Sequence, residues 1–435
     1  MSFFQSLAIL NNSRKPSIDQ KISSSHYNQK ALNWFMQKNL LFLFLFLFVE
    51  ITTAQQNQLS PQAEISVLTV GSGTSLNDAF GHSAFRIKDP LLRIDVTYGY
   101  GEYDFDAPNF YLKFAQGKLN YLISKTEFTR FYQVYNYFNR SIKEQVLNLS
   151  QTEKQKLYDY LINNYKPENR RYLYEFFYDN CATKIKDVIN VASNNTITFH
   201  NPKDFEEATF RTLIQNNLNK NSWGSLGIDL ALGSVIDKKA TPEDHMFLPE
   251  NIYRFFENAT IRNTNEPLVK ESHVLYSKKP TPHSSYFLIS PLFVLGIIGL
   301  LIIYITYNDY KKEKRTKWLD VTLFTVTGLI GVMLLLLWFA TDHTGTHQNY
   351  NILWAFALNI LVIGQLLRNK ASRWFIKYIK FLIILLCLLT LHWLIGVQVF
   401  AIGLIPFLIA LIIRYAYLIK FYNGQISIWT ETQQN

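Results

Sequence analysis

The sequence predicts an α+β domain followed by an α-helical transmembrane bundle, and two differences in composition along the chain indicate this. Residues 60–285 mix polar and apolar residues and contain many Tyr and Phe. Residues 286–413 are mostly Leu, Ile, Phe and Val, interrupted by short basic patches, which is the pattern of membrane spans joined by loops. The 435 residues are enough for more than one domain.

The net charge of +10 is concentrated beside the apolar segments. Residues 308–318 carry +3, residues 368–380 carry +5, and Arg414 with Lys420 carry +2, so the rest of the chain is neutral in total. Basic patches between apolar segments are typical of cytoplasmic loops. The charge therefore does not indicate nucleic-acid binding, and it predicts a multi-pass membrane protein with a cytoplasmic C-terminus.

A signal peptide is predicted near the N-terminus, in "MQKNLLFLFLFLFVEITTAQQ". This stretch has a basic start at Met36, an apolar core over residues 40–49 and small residues ending at Ala54. Residues 1–35 show no apolar periodicity, so Met36 is the expected start and residues 1–54 are interpreted as an extension plus signal peptide. An uncleaved anchor is the alternative, although the core is shorter than the ~20 residues of a span.

Five spans are predicted after the exported domain of residues 60–285. They comprise residues 286–307, 319–340 and 352–367, and two more within the apolar run 381–413, which is interrupted around Gly396 and Gln398. One helix over that run would be ~50 Å long, well beyond a ~30 Å hydrocarbon core, so five spans fit better than four. The transmembrane domain is thus expected over residues 286–420, with a cytoplasmic tail over 421–435. The loop "TDHTGTHQNYN" lacks Lys and Arg and is expected outside.

Short segments rich in β-formers, bounded by Gly or Pro, alternate with helical patterns in the exported domain. Ser150 and Glu153 form a capping box for the helix after residue 150. The predicted strands cover residues 64–70, 83–88, 93–99, 118–124, 141–149 and 171–179, and the predicted helices cover residues 108–116, 126–138 and 151–165.

Cys181 is the lone cysteine of the exported domain, because the second cysteine, Cys387, lies in an apolar segment. An internal disulfide is therefore excluded there, and the thiol is either a small buried hydrophobe or a nucleophile. Asn180 is a favoured N-cap residue, and an apolar stripe follows it, which places Cys181 in the first turn of a helix. The positive end of that helix is expected to lower the pKa of the thiol.

A cysteine nucleophile needs a base, and His82 is the best placed histidine of the exported domain. It closes the segment "GSGTSLNDAFGH" and opens the strand "SAFRIK", so a sheet would hold its imidazole rigidly. The other histidines lie in loop-like stretches or close to the first span. The sequence therefore predicts a His82 and Cys181 pair, with a surface or capping role for His82 as the alternative.

Several long segments carry a family resemblance. "DAFGHSAFRIKD", "YGYGEYDFDAPNFYLKFAQGKLNYLIS", "RSIKEQVLNLS", "PENRRYLYEFFYDNCATKIKDVI" and "GIDLALGSVIDKKATPEDHMFLPENI" resemble the periplasmic domain family named after Lnb, a membrane-bound lipoprotein N-acyltransferase. The resemblance spans roughly residues 63–260, and the layout of the C-terminal spans is also similar. It implies a location in the bacterial inner membrane with the exported domain in the periplasm.

The resemblance also implies a chemistry. The family resembles circularly permuted papain-like folds, in which a histidine on the sheet precedes a cysteine on a helix, as His82 precedes Cys181 here. The related lecithin:retinol acyltransferase group takes an acyl chain from a phospholipid through a thioester. The expected reaction is acyl transfer from a phospholipid to the α-amine of a lipid-anchored protein, with no cofactor and no metal.

The remaining site residues are less defined by the sequence. Asp95 on the next predicted strand is the candidate for orienting the imidazole, with Asp104 and Asp106 as alternatives. Thr97 stands where the family pattern leads us to expect Asn. Asn180, Asp342 and His343 are the candidate substrate-binding residues, the last two with a solvated polar turn as the alternative.

Two other functions compete with acyl transfer at this stage. One is a membrane-anchored papain-like cysteine peptidase or amidase that acts on cell-wall peptide. The other is a non-catalytic membrane scaffold or sensor. The first predicts a water-filled cleft around Cys181, and the second predicts an unreactive thiol.

Overall fold

A computed structural model describes residues 58–280, 287–368 and 371–434, together with residues 34, 38 and 39. The predicted signal peptide core and its cleavage region, residues 40–54, lie outside this part. From residue 58 onwards, an antiparallel sheet with flanking helices precedes a bundle of long apolar helices. The predicted fold class, an α+β domain followed by a helical transmembrane region, is confirmed.

The first part, which we call the sheet domain, is built from strands and short helices. Its strands are β1 (Glu64–Val70), β2 (His82–Asp89), β3 (Ile94–Tyr103), β4 (Asn120–Glu127), β5 (Ile142–Leu147), β6 (Arg171–Leu173), β7 (Ile197–Thr198), β8 (Thr260–Ile261), β9 (Glu266–Pro267) and β10 (Val269–Tyr276). Its helices are α1 (Phe110–Gln116), α2 (Phe128–Tyr137), α3 (Gln151–Tyr165), α4 (Cys181–Ala192), α5 (Phe210–Gln215), α6 (Trp223–Ala231) and α7 (Pro249–Glu257).

Seven antiparallel strands form the main sheet in the order β10-β5-β1-β2-β3-β4-β6, and β7, β8 and β9 form a small second sheet. Side chains alternate between the two faces of the main sheet. One face packs on α3, α4 and α7 through a core that includes Phe85, Leu157 and Ile185. The other face, which carries Ala84, packs on Phe131 of α2. The active-site candidates lie where β2 begins and α4 begins.

The predicted strand over residues 171–179 is wrong beyond Leu173. The Glu175 carboxylate accepts hydrogen bonds from the backbone N–H groups of Phe177 (2.8 Å) and Tyr178 (2.7 Å). These bonds fold the chain into a tight turn closed by Glu175 and Asp179. The turn ends at Asp179, two residues before the start of α4 at Cys181.

The second part, which we call the helical domain, contains α8 (Pro291–Lys311), α9 (Lys317–Phe339), α10 (Ile363–Leu367), α11 (Arg373–Leu394) and α12 (Ile405–Gln434). Among the described residues, four helices are long and apolar enough to cross a membrane, namely all of these except α10. The predicted break in the run 381–413 lies between α11 and α12. Both helices extend beyond that run, and the domain boundary predicted at residue 420 falls inside α12. Long Lys and Arg side chains can reach the membrane surface from within a helix.

The predicted span over residues 352–367 is not one continuous helix. It consists of 3-10 turns at Tyr350–Leu353 and Ala357–Ile360 followed by the short α10. Its backbone lies directly on α9, where a Cβ atom on Gly331 would be 2.1 Å from the carbonyl oxygen of Ala355. Gly331 is therefore required for this close approach.

This irregular segment still runs from one end of the bundle to the other. At one end the N–H of Tyr350 donates to Gln398 (2.8 Å), which lies between α11 and α12. At the other end Arg315, just before α9, donates to the carbonyl of Leu366 (2.7 Å). Irregular backbone is tolerated at membrane depth where protein surrounds it, and Asn359 at the centre of this segment is fully buried. We interpret the segment as a fifth crossing.

A buried ionic cluster joins the helices near Arg315. Arg414 of α12, which is 0% exposed, pairs with Asp309 of α8 (2.8 Å) and Asp320 of α9 (2.6 Å). Arg315 pairs with Asp320 as well (3.2 Å). Two cations thus meet two carboxylates, which compensates charges that would be costly to bury alone.

The two domains are hydrogen-bonded to each other at the opposite end of the bundle. Trp223 of α6 donates to the carbonyl of Ile289 (2.7 Å), and Asn349 donates to the carbonyl of Leu230 (2.8 Å). Thr344 donates to the Glu175 carboxylate in the turn before α4 (2.6 Å). The loop between α9 and the irregular segment therefore lies directly against the sheet domain.

Candidate active site

Asn180 sets the position of Cys181 at the start of α4. Its side-chain oxygen accepts hydrogen bonds from the N–H groups of the two residues after Cys181, at 2.8 and 3.0 Å. Its side-chain amide donates to the carbonyls of Phe176 (2.7 Å) and Phe247 (2.8 Å). The predicted N-cap is confirmed, and both polar groups of the Asn180 side chain are occupied by protein. This occupancy gives Asn180 a structural role. Asn180 also lines the same cavity as Cys181, and its contact with substrate stays a prediction.

The Cys181 thiol is partly exposed and faces a cavity. Burial raises the pKa of Cys181, and this effect outweighs the backbone N–H groups of Ser83, Cys181 and Ala182 and the charge of Arg140, which lower it. The expected lowering of the thiol pKa is therefore wrong in direction. The helix end contributes as predicted, but desolvation of the thiolate is larger.

His82 opens β2, as predicted from the sequence. Its imidazole lies over Gly99 of β3, because a Cβ atom on Gly99 would be only 3.0 Å from Nε2 of His82. The Tyr135 ring of α2 stacks with the imidazole, with ring centroids 6.3 Å apart. Burial, with a smaller contribution from the charge of Arg140, lowers the pKa of His82 to about 4. The imidazole is thus neutral at physiological pH and able to accept a proton.

His82 and Cys181 line the same cavity. The backbone N–H of Ser83, the residue after His82, is near enough to the Cys181 sulfur to lower the pKa of the thiol, against the larger effect of burial. Within the part of the chain that the structure describes, no hydrogen bond joins the imidazole to the thiol. Hydrogen bonds between catalytic groups are often long without substrate and shorten in the reactive complex. The structure therefore brings the predicted pair to one site without a formed proton-transfer contact.

Two glycines of β3 make room for the pair. Gly99 lies under the imidazole, and a Cβ atom on Gly101 would be 3.9 Å from Cβ of Cys181. Gly101 has φ of 95° at a bulge where β3 changes its register with β4. This left-handed conformation strongly favours glycine.

Arg140 is a site residue that the sequence did not indicate. It is buried, and its Nε donates to the carbonyl of Gly71 (2.9 Å). Its guanidinium lies 5.0 Å from the centroid of the Tyr135 ring, and its Nη2 has no hydrogen-bond partner among the described residues. An arginine just before a strand gives no sequence signal for this role, because β1 and α2 bring its contacts together.

The cavity that holds Cys181 and His82 has a volume of about 710 Å³, and its lining is mostly apolar. The sheet domain contributes aromatic residues from β3, β4 and the turn before α4, including Tyr103, Tyr121 and Tyr174. Glycine, alanine and isoleucine residues of α6 form another wall. The helical domain contributes residues 342–346, so we call this space the interdomain cavity.

Asp342 and His343 both line the interdomain cavity. The N–H of Asp342 donates to the carbonyl of Gln116 at the end of α1 (2.8 Å), and Nε2 of His343 lies 3.1 Å from the carbonyl oxygen of Phe114. These contacts hold the loop against the sheet domain. The structure thus places the two predicted residues in the same cavity as Cys181.

The carboxylates proposed to orient His82 lie elsewhere. In the pairing of β2 with β3, Asp95 lies opposite Lys88, which is six positions beyond His82 on β2. At ~3.3 Å per residue this is ~20 Å from His82. The Asp95 carboxylate forms an ion pair with Arg86 (2.7 Å). Asp104 pairs with Arg171 (2.9 Å). Asp106 is exposed, and neither of these two lines the cavity. The prediction of an orienting role for Asp95 is therefore wrong in this structure, because the pairing of β2 with β3 places Asp95 near the end of β2 that is distant from His82.

The fold and site define a membrane-spanning protein whose extracytoplasmic sheet domain brings a helix-borne cysteine and a strand-borne histidine to one apolar cavity. Family models described as the Lnb N-terminal periplasmic domain and the Lnb transmembrane domain match residues 52–216 and 282–425, respectively. The chain therefore belongs to the Lnb-type family, and the sheet domain is its periplasmic domain. No curated protein and no solved structure matches the chain.

Proposed function

We propose that the protein is a lipoprotein N-acyltransferase. It moves an acyl chain from a membrane phospholipid, through a thioester on Cys181, to the α-amine of a diacylated lipoprotein N-terminal cysteine. The observation that carries the proposal is the interdomain cavity, in which the Cys181 thiol faces a mostly apolar space built by the periplasmic and transmembrane domains together. For the part of the acyl chain that leaves the bilayer, burial in this space rather than in water is favourable by ~0.8 kcal/mol per CH₂ group.

The protonation states favour a neutral starting pair. His82 accepts the thiol proton as the Cys181 sulfur attacks the ester carbonyl carbon, and the imidazolium then protonates the departing lysophospholipid oxygen. In the second half, the lipoprotein amine attacks the thioester and loses a proton to His82, which returns it to the Cys181 sulfur. Each half leaves the charge of the enzyme unchanged.

Backbone amides are available for the oxyanion that forms in each half. The backbone N–H groups of Ser83 and Cys181 are near enough to the sulfur to act against the rise in the pKa of the thiol. The N–H groups of the two residues after Cys181 are bound to Asn180 instead. A carbonyl bonded to the sulfur would therefore have its oxygen close to the amides of Ser83 and Cys181, whose dipoles stabilise negative charge.

Access from the bilayer is supported by exposed aromatic side chains near α1. Phe105 is 72% exposed, Tyr111 is 83% exposed and Phe114, which lines the cavity, is 47% exposed. The end of α1 is bonded to the loop after α9, at the periplasmic ends of the spans. Apolar side chains at this level are suited to the membrane interface. In this arrangement, the phospholipid donor and the lipoprotein acceptor reach Cys181 from the bilayer surface. The protein resides in the bacterial inner membrane, with its basic loops and its C-terminus in the cytoplasm.

The proposal is tested with purified protein, phospholipid vesicles and a diacylated lipopeptide that has a free α-amine. Intact-mass spectrometry is expected to find an acyl adduct that maps to Cys181 and then passes to the lipopeptide amine. Cys181→Ala should abolish both signals, whereas Cys387→Ala, which changes the other cysteine, should leave them unchanged. An adduct that persists in Cys181→Ala would exclude this thiol as the acyl carrier.

The same variants separate acyl transfer from the competing functions. A cell-wall peptidase or amidase would release peptide fragments from peptidoglycan in a manner dependent on Cys181 and would form no lipid adduct. A scaffold would show neither activity, and both Cys181→Ser and His82→Ala would be silent. The apolar lining of the interdomain cavity favours the lipid substrate, because a polar peptide would be desolvated there without compensating hydrogen bonds.

A further inference from the structure

We infer that a second cavity, on the other side of His82, binds the phosphate group of the phospholipid acyl donor. This inference rests on the proposed acyl transfer and adds the residues that recognise the donor head group. The cavity, which we call the cationic cavity, has a volume of about 540 Å³ and is lined by β3, β4, α2, Tyr165 and Arg170. His82 lines it as well as the interdomain cavity.

Positive charge dominates the cationic cavity. Lys125, Arg130 and Arg170 line it, and Glu102 is the one carboxylate in its lining. Among the described residues, none of these three cations has an ion-pair partner. Four of the seven other arginines in residues 58–280 contact carboxylates, as Arg86 contacts Asp95 and Glu144. Three unpaired cations around one cavity favour an anionic ligand.

Arg170 carries the most specific argument for an anionic ligand. Its Nε atom is buried and has no hydrogen-bond partner among the described residues. An unsatisfied buried donor, particularly a charged one, is costly, and a phosphate oxygen would satisfy it. Arginine is well suited to phosphate because its planar guanidinium can donate two parallel hydrogen bonds.

The position of the two cavities matches the layout of a phospholipid. Its acyl chains are apolar, its phosphate is anionic, and a few covalent bonds through glycerol separate the phosphate from the reacting ester. With the chains in the interdomain cavity and the ester at Cys181, the glycerophosphate would pass His82 and enter the cationic cavity. The departing oxygen would then remain beside the imidazole that protonates it.

The test compares two donors that differ only in the phosphate-bearing head group, dioleoyl phosphatidylglycerol and dioleoylglycerol, in neutral detergent micelles. The rate of acyl adduct formation on Cys181 is measured by intact-mass spectrometry for wild type and for Arg130→Gln with Arg170→Gln. Wild type should react at least tenfold faster with the phospholipid, because charge-assisted hydrogen bonds to phosphate have about this strength. The double variant should lose that preference and keep the wild-type rate with dioleoylglycerol. Arg262→Gln, at an exposed position outside the cavity lining, is the matched control and should behave as wild type.

Inorganic phosphate distinguishes a head-group subsite from a site for the free ion. It should slow the reaction with phosphatidylglycerol and not the reaction with dioleoylglycerol. If phosphate inhibits but the double variant keeps the wild-type donor preference, the head-group assignment is overturned. Equal wild-type rates with both donors would also overturn the head-group assignment, while acyl transfer itself would stand. If no adduct formed from either donor, acyl transfer by Cys181 would be wrong. Unchanged thermal unfolding of the double variant establishes that the variant is folded.

Discussion

Replacing Gly99 with alanine should damage the site without damaging the fold. The new methyl group would lie 3.0 Å from Nε2 of His82 and 3.4 Å from Oγ of Ser124. Since an ordinary contact requires about 3.4 Å or more, the imidazole must shift by roughly 0.4 Å. The Tyr135 ring, which stacks with the imidazole, limits the directions in which it can move.

The expected loss of rate follows from that displacement. A misplacement of about 1 Å can cost ~100-fold in rate, so a shift of roughly 0.4 Å should cost about three- to tenfold, or ~1 kcal/mol. Stability should not fall with it, because glycine inside a strand is less favourable than alanine by ~0.5–1 kcal/mol. A lower rate without a lower melting temperature is the expected signature.

The assay follows acyl adduct formation on Cys181 and, in parallel, thermal unfolding in detergent. Gly227→Ala is the matched control, because a Cβ atom there has no neighbour within 4 Å although Gly227 lines the interdomain cavity. A wild-type rate for Gly99→Ala, or an equal loss for Gly227→Ala, would refute the argument that close contact with Gly99 positions the imidazole.

Four further outcomes are expected. In a Cys387→Ser background, iodoacetamide should label Cys181 slowly at pH 7 and faster as the pH rises, because burial raises the pKa of its thiol, and fast labelling at pH 7 would contradict this. The pKa of His82 is 6.5 ordinarily and about 4 in the fold, so between these pH values the unfolded chain binds more protons than the folded chain. The free energy of unfolding should therefore fall by up to about 3 kcal/mol as the pH drops from 6.5 to 4, which unfolding midpoints measure. His82→Gln should remove this part of the pH dependence. Gly227→Leu should shift the adduct spectrum toward shorter chains, since each CH₂ that no longer fits loses ~0.8 kcal/mol, about fourfold. Arg414→Met should lower the free energy of unfolding by ~3–5 kcal/mol, because it leaves the buried carboxylates of Asp309 and Asp320 without this cation. An unchanged melting temperature would contradict a stabilising role for the buried ionic cluster.

Local sequence signals predicted the two central residues well. Asn180 followed by an apolar stripe identified the helix start that carries Cys181, and the Gly-rich stretch before a β-rich segment identified the strand that begins with His82. Both are short-range patterns in which a residue and its immediate neighbours fix the backbone. The structure places both residues as those patterns predict.

Features that depend on pairing between distant segments could not be predicted in the same way. The predicted role of Asp95 in orienting His82 was wrong because the sequence does not give the register of β2 with β3, and the observed pairing places Asp95 opposite Lys88. The proximity of Arg140 to His82 and Cys181 could be predicted only once the positions of β1 and α2 in the fold were known. The sign of the Cys181 pKa shift depends on burial, and burial is a property of the packed domain.

The location of the interdomain cavity explains why the two domains belong to one chain. Asp342 and His343, which lie between two spans, line the same space as Cys181, and α6 closes it from the periplasmic side through bonds to the spans. A periplasmic domain without the spans would keep its thiol and imidazole but would expose them to water on that side. Water would then fill the place of the acyl chain and compete with the lipoprotein amine for the thioester. In the proposed reaction, the transmembrane domain would therefore contribute to selectivity as well as to the location of the protein, because its residues 342–346 line one side of the cavity and would limit the access of water to the thioester.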